Sequence, residues 1–335
     1  MKYFVYTLLF TVMLISFVSC SNKNTTNINN ENKKISIVTT IFPEYDWVKN
    51  IVGDKISQYD LTMLYNTGTD LHSYQPTADD IIKISNSDIF IYVGGESDEW
   101  IEEVLSKSTN KNMTVINLLE ILGSSAKEEE HVEGMQEEAH HHDGDEDEDR
   151  HEEEHEIEYD EHVWLSLKNA EIFVEKIAEV ICQKDIKNAD VYKSNAANYI
   201  AELNDLDLQY KNIVDSSAKK TILFGDRFPF RYLVDDYGLK YYAAFAGCSA
   251  ESEAAFETII FLANKADELK LNVILTIEGT NHKIAQTIVQ NTKSKSQKIL
   301  VMNSMQSTAA QDVENGISYV SIMKQNLDVL KQALK

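Results

Sequence analysis

The chain has 335 residues, 43% of them apolar, and a formal net charge of −24; this is enough apolar material for about two folded domains. The acid is concentrated: residues 128–161 hold 19 Asp and Glu against the single Arg150, −18 in all, leaving −6 for everything else. A mildly acidic folded part with no basic stripe argues against a nucleic-acid partner, and three cysteines are too few for a dense disulfide framework.

At the N-terminus, Lys2 precedes an apolar run over residues 3–18, followed by Phe17-Val18-Ser19-Cys20. A run this short, with Asn-rich chain after it, is a secretory leader over residues 1–20 rather than a membrane span. Its last four residues are similar to a bacterial lipobox, in which Cys20 is diacylated, although Phe17 stands where Leu is common. An ordinary cleaved signal peptide is the alternative, and in either case the mature chain is exported. Residues 21–34 carry six Asn and one apolar residue, Ile28, a composition that cannot bury enough surface to offset chain entropy and so serves as a tether.

From residue 35 strand and helix alternate: a strand at 35–40, a helix at 43–52, a strand at 61–65, and a helix capped by Thr77 with Asp80 three residues on. Strands follow at 89–93, closed by Gly94-Gly95, and at 113–118; they are continuous apolar runs, as a sheet covered on both faces requires. Between Gly144 and Gly225 there is neither Gly nor Pro. There Tyr192, Ala196, Tyr199, Leu203, Leu206, Tyr210 and Ile213 fall at spacings of four and three, predicting one long amphipathic helix over 187–216. Strands at 221–224, 239–245, 273–277 and 299–302 then alternate with helices at 229–236, 252–270, 282–291 and 316–334.

The predicted fold class is therefore α/β: two parallel-sheet lobes, 35–186 and 217–335, joined by one long rigid helix. A ligand site is expected in the crevice between lobes, where strand carboxyl ends open. Cys182 falls in a helical pattern and Cys248 in Gly247-Cys248-Ser249; both are expected to be structural or free.

Seven of the nine histidines lie between residues 128 and 162, and imidazole beside carboxylate suits a divalent metal such as zinc. Two segments share a form, Thr69-Asp70-Leu71-His72-Ser73-Tyr74 and Tyr159-Asp160-Glu161-His162-Val163-Trp164, each with Asp two residues before His and an aromatic two after. One such His would more often be an ordinary surface residue; two in matching contexts favour ligands. Asp70 and Asp160 are then candidates to hold the second ring nitrogen of each His.

With the strand at 35–40, Asp70-Leu71-His72-Ser73-Tyr74-Gln75-Pro76-Thr77, the His-rich acidic loop, Asp160-Glu161-His162-Val163-Trp164-Leu165-Ser166 and the long helix, the chain resembles the zinc- and manganese-specific solute-binding lipoproteins of ATP-binding-cassette importers. The resemblance implies two lobes, a rigid connecting helix, and one metal in the crevice with His72 and His162 as ligands. The second lobe departs from the family pattern. Gly225-Asp226-Arg227 stands where a third His or Glu ligand is usual, Arg227 cannot coordinate because it keeps its proton, and a late family Asp is matched by Asn303. Asp226, Glu278 and His282 are the candidates that remain, against plainer roles as an ion-pair partner, a helix cap and a solvated side chain.

Low hydropathy and high charge predict disorder for residues 128–158. Its histidines, His131, His140, His141, His142, His151 and His155, either collect zinc weakly or belong to a tolerated insertion. His151-Glu152-Glu153-Glu154-His155 matches the zincin H-E-x-x-H pattern but lies in a charge run without apolar periodicity, and composition explains it better.

The expected function is an exported, lipid-anchored receptor that binds Zn²⁺ as transported cargo and hands it to a membrane permease driven by a cytoplasmic ATPase, with no enzymatic activity. A Mn²⁺ or Fe²⁺ receptor of the same type, and a surface adhesin or periplasmic metal buffer without transport, are the alternatives. Binding through neutral imidazoles implies affinity that falls as pH drops through about 6.5.

Overall fold

The computed structural model describes residues 34–136, 158–249 and 253–335. Its first half runs β1 (Ile35–Thr39), α1 (Phe42–Val52), β2 (Tyr59–Met63), α2 (Ala78–Asn86), β3 (Ile89–Tyr92), α3 (Trp100–Lys107), β4 (Thr114–Asn117) and the short α4 (Leu118–Leu122). The four strands form one all-parallel sheet in the order β2-β1-β3-β4, with Ile37 registered between Leu61 and Ile89. Ile37, Ile89, Phe90 and Ile91 are fully buried, the outcome of an apolar run enclosed on both faces. Thr77 caps α2 as its sequence predicts: Asp80 N donates to Thr77 Oγ1 at 3.2 Å and Thr77 N to Asp80 Oδ2 at 3.0 Å.

After residue 158 the chain enters α5 (Leu167–Lys184), capped by Ser166, whose hydroxyl accepts from Asn169 N. A 3₁₀ turn at Ile186–Asn188 intervenes, so the long helix α6 spans Ala189–Ser216, two residues later than predicted. Its 28 residues cover roughly 42 Å. Tyr192, Ala196, Tyr199, Leu203, Leu206 and Tyr210 are buried along one stripe, which ends on Val214 rather than Ile213.

The second half runs β5 (Thr221–Leu223), α7 (Arg231–Tyr237), β6 (Lys240–Tyr242), α8 (Phe256–Glu268), β7 (Val273–Ile277), α9 (Lys283–Asn291), β8 (Lys298–Met302), α10 (Ala310–Glu314) and α11 (Tyr319–Ala333). β5 pairs with β6 and β7 with β8, all parallel, and a parallel bridge between Phe224 and Leu275 joins the pairs. The resulting order, β6-β5-β7-β8, repeats the topology of the first sheet. The single helix expected over 316–334 starts only at Tyr319, because Gly316 turns at φ 90° and Ser318 then forms a capping box with Ser321.

Two parallel-sheet α/β lobes joined by α6 are thus the architecture. Buried hydrogen bonds tie the halves together near Trp164. Its indole Nε1 donates to Ser304 O at 2.8 Å, while Tyr319 donates from its hydroxyl to Trp164 O at 2.7 Å and from its amide to Asp46 Oδ2 at 3.0 Å.

Residues 128–136, expected to be disordered, are instead folded against the rest of the chain. Glu128 bridges Tyr159, Glu129 N donates to Glu158 O at 2.9 Å, and Gln136 N donates to Ala244 O at 3.0 Å, so this arm lies along the second lobe. Backbone pairing and contacts with a folded surface supply what its composition lacks. Cys20 and residues 137–157, with His140, His141, His142, His151 and His155, lie outside the described residues.

Candidate metal site

His72 and His162 stand in equivalent local settings, each presented by a 3₁₀ turn. In the turn Leu71–Ser73, His72 N donates to Asp70 Oδ1 at 3.1 Å; at the turn Val163–Leu165, His162 N donates to Asp160 Oδ1 at 2.8 Å. The Asp of each D-x-H segment therefore first fixes the backbone of its histidine. Beyond that the two differ. Asp160 Oδ1 also receives the His162 ring Nδ1 at 2.9 Å, whereas the Asp70 carboxylate turns to the Arg227 guanidinium of the second lobe. The His72 ring Nδ1 lies 2.8 Å from Ser97 Oγ and 3.5 Å from Glu161 Oε2 instead.

With both Nδ1 atoms engaged, both Nε2 atoms face the crevice, 3.2 Å apart. Two imidazoles on one tetrahedral zinc, at about 2.0–2.1 Å each, hold their nitrogens roughly 3.3 Å apart, so the pair is already spaced for a shared cation. His162 is fully buried and His72 nearly so. Burial, then the neighbouring His162 and Arg227, pushes the His72 imidazole down to about 2. Burial thus favours the neutral, ion-binding form of the His72 ring.

Several groups around the pair carry no readable local signal in the sequence. Gln306 Oε1 accepts from Arg227 Nη2 at 3.1 Å, which orients the amide so that Nε2 meets His162 Nε2 and lies 3.3 Å from His72 Nε2. The Glu161 carboxylate is buried: Oε1 accepts from Ser97 N at 2.7 Å, Oε2 has no hydrogen-bond partner, and burial pushes the group up to about 7. Gly95, at φ 88°, allows this approach, because a Cβ there would lie 2.5 Å from Glu161 Oε1. Cys248 brings a sulfur to the crevice within 4.8 Å of a ring nitrogen of each histidine, so the three side chains offer ligand atoms close enough to share one ion. It is half-buried and unpaired, like the buried Cys182.

The other candidates lie outside the group of His72, His162 and Cys248. Asp226 Oδ2 accepts from Thr276 Oγ1 at 2.5 Å and Thr280 Oγ1 at 3.0 Å, and Oδ1 from Arg227 N at 3.0 Å. Both oxygens of Glu278 accept from Ser304, from its amide and its hydroxyl, each at 2.7 Å. His282 Nδ1 lies 3.1 Å from each of Thr276 Oγ1 and Thr280 Oγ1, and Asn303 Oδ1 accepts from Met305 N. His131 is exposed on the arm over the second lobe. None of these joins the cluster formed by His72, His162 and Cys248.

Residues 37–333 match the family described as ZnuA, zinc-uptake complex component A, periplasmic. The chain belongs to the ZnuA family. Among its relatives, the high-affinity zinc uptake system protein ZnuA of Bacillus subtilis is 32% identical over 317 residues, covering 94% of this chain and 93% of that protein. The zinc-binding lipoprotein AdcA of Streptococcus pneumoniae is 30% identical over 329 residues, covering 97% of this chain; the chain spans 60% of AdcA's length. The crystal structure of the Zn(II)-bound ZnuA-like domain of that AdcA superposes with a TM-score of 0.68 at 26% identity, over 90% of this chain and 99% of the domain. The metal-dependent lipoprotein YcdH of Bacillus subtilis gives 0.70 at 28% identity, over 90% and 99%. The ZnuA-type architecture thus extends over both lobes and α6. Among the described residues no helix is long and apolar enough to cross a membrane.

Proposed function

We propose that this ZnuA-family chain is the extracytoplasmic zinc-binding component of an ATP-binding-cassette importer, anchored to the membrane through a lipid on Cys20. It takes up Zn²⁺ as cargo and delivers it to a cognate permease worked by a cytoplasmic ATPase. The observation that carries this reading is the pair of Nε2 atoms of His72 and His162, 3.2 Å apart and buried between lobes. The zinc-uptake and zinc-binding descriptions of its relatives agree with it. In this role the chain makes and breaks no bond in a substrate: two neutral imidazoles hold the ion, and Asp160, Ser97 and Glu161 orient the rings.

A manganese or iron receptor needs oxygen donors at the ion. Asp226 and Glu278, the second-lobe carboxylates considered as ligands, are engaged by Thr276, Thr280 and Ser304, which favours zinc. Titration calorimetry on the full chain tests the proposal. Wild type is expected to bind one zinc tightly and the His72→Ala, His162→Ala double variant to lose that binding; full-affinity binding by the double variant would reject the site. Zinc-limited growth that is unchanged when the chain is deleted would reject the transport role and leave an adhesin or metal buffer.

A further inference from the structure

We infer that the sulfur of Cys248 is the ligand the second lobe contributes, completing a site of two imidazole nitrogens and one thiolate around the transported ion. This assignment rests on the zinc reading of the crevice and deepens it by naming the donor class. Zn²⁺, Cd²⁺ and Co²⁺ would be retained and Mn²⁺ disfavoured, because a thiolate suits softer and borderline ions.

Three observations converge on this residue. Among the described His, Cys, Asp and Glu, His72, His162 and Cys248 form the one group of three whose ligand atoms all lie within 4.8 Å of one another. A tetrahedral zinc with Zn–S of about 2.3 Å holds sulfur and nitrogen roughly 3.6 Å apart, so the sulfur needs to move by no more than about an ångström. The second-lobe carboxylates, Asp226 and Glu278, are engaged by hydrogen bonds with Thr276, Thr280 and Ser304.

The backbone is also shaped to bring Cys248 here. A Cβ at Gly247 would lie 3.1 Å from His162 Cε1, 3.2 Å from His162 Nδ1 and 2.9 Å from Phe228 O. Only glycine lets the chain after β6 pass directly against the imidazole and deliver the next side chain beside it. Cys248 N then donates to Glu129 Oε1 at 2.9 Å, pinning that position to the ordered arm of the acidic segment. A cysteine placed merely to fill a core would need neither the glycine contact with a ligand ring nor the tether. On binding, the S–H bond breaks, the metal–sulfur bond forms with the sulfur's electron pair, and the proton leaves to solvent.

Cobalt substitution tests the assignment on the full chain. Co²⁺-loaded wild type is expected to show a near-ultraviolet thiolate-to-cobalt charge-transfer band, and Cys20→Ala and Cys182→Ala variants to keep it. Cys248→Ala and Cys248→Ser are expected to lose the band, and to bind zinc at least tenfold more weakly. Zinc is also expected to protect Cys248 of the unmutated chain from alkylation, a readout that needs no variant to fold. A band that persists in Cys248→Ala, or alkylation of Cys248 at the same rate with and without zinc, would overturn the proposal. If the histidine double variant loses zinc while Cys248→Ala binds as wild type does, only the sulfur assignment fails; if the double variant binds fully, the crevice reading fails with it.

Discussion

Asp160 Oδ1 accepts from two groups of a single residue, the backbone N–H of His162 at 2.8 Å and its ring Nδ1 at 2.9 Å. The carboxylate thereby fixes backbone, ring plane and tautomer together, and leaves Nε2 as a bare lone pair toward the crevice. Asp160→Asn keeps the shape and can still receive the backbone N–H, but its amide can present N–H to Nδ1 and push the imidazole proton onto Nε2. Zinc affinity is expected to fall by about 10–100-fold, the usual cost of losing such a partner, with little change in melting temperature. Calorimetry beside a thermal melt separates the two, and unaltered affinity would show that Asp160 does not set the tautomer.

Gln306 acts in the opposite sense. Its amide Nε2 donates into the lone pairs of both histidines that an ion would need, held there by the Arg227 contact to its Oε1. A cation must displace it. Gln306→Ala is expected to tighten zinc binding by roughly 2–10-fold, the worth of one net hydrogen bond of about 0.5–1.5 kcal/mol. Competition against a chromogenic chelator measures this, and weaker binding would make Gln306 a support for the ion instead of a rival.

Local pattern carried the fold and singled out the two histidines that the structure brings together. β1, β3 and β7 are short apolar runs and α6 is a four-three stripe, periods that survive in any tertiary context. His72 and His162 were readable because the Asp that fixes each lies two residues away. The nearness of Cys248 to them was not, since it depends on Gly247 meeting a ring 85 positions earlier in the chain. Asp226 and Glu278 do follow strands as expected, yet hydroxyls of Thr276, Thr280 and Ser304, at distances no local motif encodes, engage their oxygens.

Residues 128–136 are bound to the second lobe through Gln136 with Ala244 and Glu129 with Cys248, so removing them would disturb the crevice wall as well as the histidines that follow. Deleting 137–156 removes five histidines and leaves that wall in place. One tight zinc is expected to remain while weakly held zinc, counted by equilibrium dialysis, drops, and uptake is expected to slow only at low zinc. Unchanged dialysis counts and uptake would leave this stretch as a tolerated insertion.

Glu44 sets a pH dependence that has nothing to do with metal. Its Oε2 accepts from Thr40 N at 2.9 Å, Thr40 Oγ1 at 3.1 Å and Ile41 N at 3.3 Å, while the buried Oε1 has no partner. Burial first, and Asp98 second, push its carboxyl up to about 8. The unfolded chain releases this proton near 4.5 and the folded chain only near 8, so between those values the folded state holds more protons and stability falls as pH rises. The contribution is fully present below pH 4.5 and lost as pH passes through 8, on the order of a few kcal/mol. Asp98 and Glu161, raised to about 6 and 7, act in the same direction, while the lowered His72 acts in the opposite one. The comparison is therefore with Glu44→Gln, which keeps an acceptor oxygen and cannot ionise. Metal-free wild type and variant are expected to melt close together at pH 5 and to separate toward pH 8, with the variant the more stable; parallel melting curves would mean that Glu44 does not titrate in this range.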